Sequence, residues 1–108
     1  MRFIYMLTSY NNKNYALNLI KQNINLFNLF NKVYLFGSIL SPNKIPNDID
    51  ILLIYSVYSE QLIENINHIC NTLNKASKFP VDLTVLSVAE EKELKFLKEQ
   101  NLNYLKIK

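Results

Sequence analysis

The chain has 108 residues, 12 basic and 9 acidic, for a formal net charge of +3. That length fits one small domain over residues 1–108, and a 49% hydrophobic content excludes a disordered tail. No apolar run approaches the roughly 20 residues that span a bilayer, and the single cysteine, Cys70, excludes an internal disulfide framework or a Cys-rich zinc site.

Residues 1–7 are apolar apart from Arg2, but they are too short for a signal peptide and run into Thr, Ser and Asn. The expectation is a soluble, reduced, cytoplasmic protein with no membrane partner. The positive charge is a mild excess carried by lysines, with Arg2 as the sole arginine. A dedicated reader of nucleic acid carries more Arg for bidentate contacts, so nucleic acid is not among the expected partners.

The first nine residues fit either a short strand or a helical turn, and residues 10–13 read as a turn. From Asn14 the apolar residues Ala16, Leu19, Ile20, Ile24, Phe27 and Phe30 fall at helical spacing, which predicts a helix ending near Asn31. Residues 33–36 are β-branched and aromatic and read as a buried strand that Gly37 stops. Residues 38–47 contain Pro42 and Pro46 and read as a loop.

Residues 48–55 give the clearest strand. Alternation puts Ile49, Ile51 and Leu53 on one face, and Asp48, Asp50, Leu52 and Ile54 on the other. Apart from the two aspartates both faces are apolar, which predicts a central strand. Residues 60–73 form a second predicted helix with Leu62, Ile63, Ile66, Ile69, Cys70 and Leu73 inward. Pro80 precedes a third strand at 81–86. Ser87 and Glu90 have the spacing of a capping box, which opens a third helix over about 88–100. Residues 101–108 form a tail with strand-like Tyr104, Leu105 and Ile107. The order predicts an α/β (α+β) fold, with a small mixed β-sheet flanked by helices.

Three features carry chemistry. Phe36-Gly37-Ser38 closes a strand, and Gly37 is the only glycine in the chain. Glycine permits positive φ and close approach of backbone to a ligand. The following N–H groups and the Ser38 hydroxyl can donate to phosphate oxygens; a plain turn reads the same way in isolation. Asp48-Ile49-Asp50 projects two carboxylates to one side of an apolar strand. Such a pair is costly without a cation, and a hard divalent ion answers the need; a solvated strand entry is the alternative. Asp82 starts another apolar strand and reaches the same place if the two strands are neighbours. His68 reads as a polar-edge or semi-buried histidine, Cys70 as a core filler, and Lys92, Lys95 and Lys98 as a solvated helix face. The seven tyrosines are scattered and suggest no stacking platform.

Taken together, Phe36-Gly37-Ser38, nine intervening residues, Asp48-Ile49-Asp50 before Ile51-Leu52-Leu53-Ile54, then a helix and Val81-Asp82-Leu83 resemble the DNA polymerase beta-like nucleotidyltransferase superfamily. Within it the likeness is to the stand-alone minimal nucleotidyltransferases, and it covers about residues 33–86. The resemblance implies an NTP, with ATP the expected one, bound with two Mg²⁺ ions. Gly37 and Ser38 would hold the β- and γ-phosphates, Asp48 and Asp50 would ligate metal, and Asp82 would complete one metal site and help deprotonate an acceptor hydroxyl.

The resemblance further implies a HEPN-type toxin for which the chain is the antitoxin; with only 26 residues after Asp82, the acceptor is expected on another molecule, a partner protein first and a homo-oligomer second. Many relatives carry Arg shortly after the Gly-Ser; Ile39-Leu40-Ser41-Pro42 has none, and Lys44 is the nearest cation for the nucleotide. Asn47 stands where many relatives have Ser. A catalytically weak module that neutralises a partner by binding it is the alternative reading.

Overall fold

The computed structural model describes residues 2–41, 46–95, 98 and 103–108, with backbone alone for 2–11, 93 and 94. Lys44 and the far part of the predicted third helix lie outside the described residues.

Helix α1 (Arg2–Gln22) begins well before Asn14 and runs through the predicted turn at 10–13. That polar stretch contains neither Gly nor Pro, so nothing in it interrupts helix propagation. The helix stops earlier than Asn31. Asn23 donates from Nδ2 to the Leu19 carbonyl at 2.8 Å, taking a last-turn acceptor away from the helix. A 3₁₀ turn, Ile24–Phe27, follows and drives Phe27 into the core. Phe27 and Phe30 therefore kept helical spacing in sequence without lying on the helix.

Strand β1 (Lys32–Phe36) leads through a second 3₁₀ turn, Ser38–Leu40, to β2 (Ile49–Tyr55). Helix α2 (Glu60–Ala76) starts at Ser59, whose Oγ accepts from the Leu62 N–H at 3.0 Å. Strand β3 (Val81–Ser87), helix α3 (Val88–Leu94) and strand β4 (Tyr104–Lys106) complete the order. The capping box is formed: Ser87 Oγ accepts from the Glu90 N–H at 3.0 Å, and Glu90 Oε1 accepts from the Ser87 N–H at 2.9 Å. Lys95 takes left-handed backbone, φ 47°, and closes α3 at Leu94, with Lys98 beyond it again helical.

The four strands form one mixed sheet in the order β3-β2-β1-β4. β2 and β3 are parallel, joined by α2 as a crossover, whereas β1 runs antiparallel to both β2 and β4. This is the small helix-flanked mixed sheet that the sequence predicted. Ile49, Ile51 and Leu53 join Val33, Leu35 and the inner residues of α1 and α2 in the main core. Leu52 and Ile54 cluster with Phe36 on the opposite face. β2 is thus buried on both sides, as its composition required.

The inner face of α2 is narrower than predicted. Leu62, Ile69 and Leu73 are buried, but Ile63 is 43% exposed. His68 is exposed, and Cys70 is a half-buried free thiol. No described helix is long and apolar enough to cross a membrane.

Candidate functional site

The sheet register assembles the three aspartates. Phe36 pairs with Asp50 across β1 and β2, and Asp50 lies opposite Asp82 across the parallel β2–β3 pair. Asp48 precedes β2 by one residue and projects to the same side as Asp50. One carboxylate oxygen from each of Asp48, Asp50 and Asp82 lies within 4.8 Å of the others. An all-oxygen donor set at this spacing suits a hard divalent cation. Asp48 and Asp50 are half-buried and Asp82 is exposed, so the cluster opens to solvent on the β3 side.

The electrostatics follow from crowding. Burial, then the charges of Asp48 and Asp82, push the Asp50 carboxyl up to about 6. The Asp48 carboxyl is also raised, chiefly by its hydrogen bond with Asp82, then by burial and by the Asp82 charge. Protons or a cation must offset this concentration of negative charge.

Gly37 sits directly against the cluster. Its φ is 86°, outside the range comfortable for other residues, and a Cβ there would lie 2.6 Å from Asp50 Oδ2. The glycine makes room for the carboxylate as well as for the turn. The following turn bonds Leu40 N–H to the Gly37 carbonyl and Ser41 N–H to the Ser38 carbonyl. Leu40 is the first of its N–H groups to be bonded inside the turn, which leaves those of Ser38 and Ile39 at its open start. Gly37→Ala is expected to cost about 1–3 kcal/mol from φ strain and the clash. Urea denaturation reads that cost, and weaker binding of Mn²⁺ at the displaced Asp50 would accompany it.

Asn74, at the end of α2, escaped the sequence reading. Its Oδ1 accepts from the Val81 N–H at 2.8 Å, and its Nδ2 donates to the Val81 carbonyl at 3.3 Å and to the Cys70 carbonyl at 2.9 Å. One side-chain amide thus clamps the residue before Asp82 to α2. The Ile49 N–H reaches the Pro80 carbonyl at 2.8 Å, which holds the two strand starts level. No periodicity could reveal Asn74, because its role depends on where α2 ends relative to β3. Asn74→Ala leaves two half-buried backbone groups without this partner and is expected to cost about 1–3 kcal/mol in a denaturant melt.

Of the predicted site residues, Gly37, Asp48, Asp50 and Asp82 come together at one end of the sheet, Ser38 is next along the turn, and Lys44 lies outside the described residues. Among the described residues of the Gly37–Ser41 turn there is no cation, and Ile39 is buried in the core.

No family model and no curated protein matches the chain. Among solved structures, it is similar to a Sulfolobus solfataricus protein described as a "putative nucleotidyltransferase", with 21% identity and a TM-score of 0.54. The match covers 79% of this chain and 78% of that one. The chain therefore has a nucleotidyltransferase-like fold.

Proposed function

We propose that the chain is a Mg²⁺-dependent nucleotidyltransferase that moves AMP from ATP to a hydroxyl of a partner protein. The partner of this reading is a HEPN-type toxin, which makes the chain the antitoxin of the pair and places it in the cytoplasm. The observation that carries the chemistry is the convergence of Asp48, Asp50 and Asp82 within 4.8 Å beside the Gly37 turn.

Asp48 and Asp50 would hold two Mg²⁺ ions with Asp82 completing one site, and bound ions would neutralise phosphate charge. The N–H groups of Ser38 and Ile39 and the Ser38 hydroxyl would take β- and γ-phosphate oxygens. The acceptor oxygen attacks the α-phosphorus, the bond to the β-phosphate oxygen breaks, and pyrophosphate leaves. Asp82, the solvent-facing carboxylate, receives the hydroxyl proton.

A second reading is favoured by one observation, the absence of a cation in the Gly37–Ser41 turn. In that reading the chain is a weak enzyme or none, and neutralises its partner by covering it. Labelled ATP, Mg²⁺ and the protein encoded beside this chain separate the two. Label on the partner that is lost with Asp48→Asn supports transfer. A tight complex that stays unlabelled sinks transfer and favours the binding module.

A further inference from the structure

Strand β3 pairs with β2 on one side, and among the described residues no strand pairs with its other side. Within a strand, the N–H and C=O of one residue point the same way, and successive residues alternate. The Pro80 carbonyl faces β2, where it accepts from the Ile49 N–H at 2.8 Å. Val81, Leu83, Val85 and Ser87 therefore turn their backbone groups outward. Both ends of that row are occupied. The Asn74 side-chain amide holds the Val81 N–H and C=O, and Glu90 Oε1 accepts from the Ser87 N–H. Among the described residues this leaves a window of four backbone groups, the N–H and C=O of Leu83 and of Val85, with Thr84 between them.

We propose that this window is a self-association site, where β3 pairs antiparallel with β3 of a second copy about a two-fold axis through Thr84. An antiparallel ladder selects that register. Leu83 lies opposite Val85 of the second copy, and the two exchange both N–H···O=C bonds. The axis repeats the exchange, so four bonds satisfy the open groups on both copies. Thr84 meets its own copy as the intervening non-hydrogen-bonded pair. The next outward pair is Val81 with Ser87, whose groups the Asn74 and Glu90 side chains already hold. A foreign strand running past the window would leave its own groups unpaired at those two positions. A second copy has them satisfied within itself.

The surroundings agree with a self-contact. Val81–Ser87 contains neither lysine nor proline, the residues that commonly keep strand edges apart. The edge strand on the opposite side, β4, has only three residues and carries Lys106. Asn74 ties one stripe of α2 to the β3 edge. That stripe, Ile63, Asn67, Cys70 and Asn74, recurs at three- and four-residue spacing and carries no charge. The two-fold axis thus brings it toward itself without opposing like charges. Asp82 lies opposite Leu86 of the second copy, so the two carboxylate clusters do not face each other across the axis. A three-residue window is small beside a standard interface. The dimer is therefore weak, and dilute protein is monomeric. The pairing does not depend on nucleotidyl transfer.

Sedimentation equilibrium of the full chain across a range of concentrations tests the proposal. The expected result is a monomer that passes to a dimer as concentration rises. Val85→Pro removes an outward N–H and leaves the β2 ladder intact. By symmetry it deletes two of the four bonds, which is expected to weaken the dimer at least about tenfold. Thr84→Lys places two ammonium groups on the axis and is expected to abolish it. Circular dichroism checks that both variants are folded. Thr84→Cys in a Cys70→Ser background is a gain-of-signal test. Non-hydrogen-bonded antiparallel neighbours have Cα atoms about 4.5 Å apart, within disulfide reach. Oxidation should then yield a covalent dimer, whereas Asn18→Cys, exposed on α1, should not. A chain that stays monomeric at every concentration overturns the proposal and leaves the edge to a strand of another protein. A dimer that both edge variants leave intact, and that oxidised Thr84→Cys does not lock, overturns it as well.

Discussion

Asp50→Asn is expected to lower nucleotidyl transfer on the order of a thousandfold, since metal-held charge stabilisation contributes several kcal/mol to such a step. The same substitution is expected to stabilise the metal-free protein at pH 7. Asp50 is pushed up to about 6 from an ordinary 3.8, and Asp48 is raised as well. The folded state thus keeps protons that the unfolded chain releases between roughly pH 4 and 6. Stability of the metal-free protein consequently falls as pH rises through that window and stays low above it. The Asp50 share is on the order of 1 kcal/mol after allowance for solvent screening. Melting curves in EDTA at pH 4.5 and 7.5 should show the drop, and Asp50→Asn should shrink it. Saturating Mg²⁺ should also shrink it, because the ion binds the deprotonated carboxylates and is held more tightly as pH rises. A metal-free protein equally stable at both pH values would contradict the crowding of the cluster.

The second large effect concerns the core beneath the site. Phe27→Ala is expected to cost about 3–5 kcal/mol, because a fully buried ring leaves a cavity that its neighbours cannot fill. Against a typical domain stability of roughly 5–15 kcal/mol, that loss leaves little margin. Phe27 also anchors a junction: its carbonyl and that of Phe30 accept from Lys108 Nζ at 3.0 and 2.7 Å. The contrast is Ile63→Ala, which should cost well under about 1 kcal/mol because Ile63 is 43% exposed. Urea titration of both variants reads the difference. Similar losses at the two positions would mean that α2 packs with the broader inner face its sequence suggests.

The strand faces were legible because alternation has a fixed geometric meaning. Ile49, Ile51 and Leu53 had to oppose Leu52 and Ile54 whatever the neighbours were. The capping box at Ser87 and Glu90 was equally local. What escaped were features set by tertiary partners. The end of α1 depends on the Asn23 side chain, and the apolar spacing beyond it looked helical because a 3₁₀ turn feeds the same core. In the site, the pair Asp48 and Asp50 followed from one strand, whereas Asp82 required the β2–β3 register. Asn74 and the meeting of Tyr34 with Tyr104 required contacts that no local pattern encodes. The tyrosines looked scattered because β1 and β4 come from distant parts of the chain.

That pairing of β1 with β4 gives the site an order of assembly. The Gly37 N–H bonds to the Asn103 carbonyl, and Tyr104 lies opposite Phe36, so both depend on closing a loop that contains most of the chain. Long loops lose entropy before their contacts offset it, which makes such pairings slow to form. The β2–β3 pair closes over a single helix and spans a shorter stretch. A nascent chain would therefore gather its acidic residues first, and bring Tyr104 beside Tyr34 only when β4 reached back to β1.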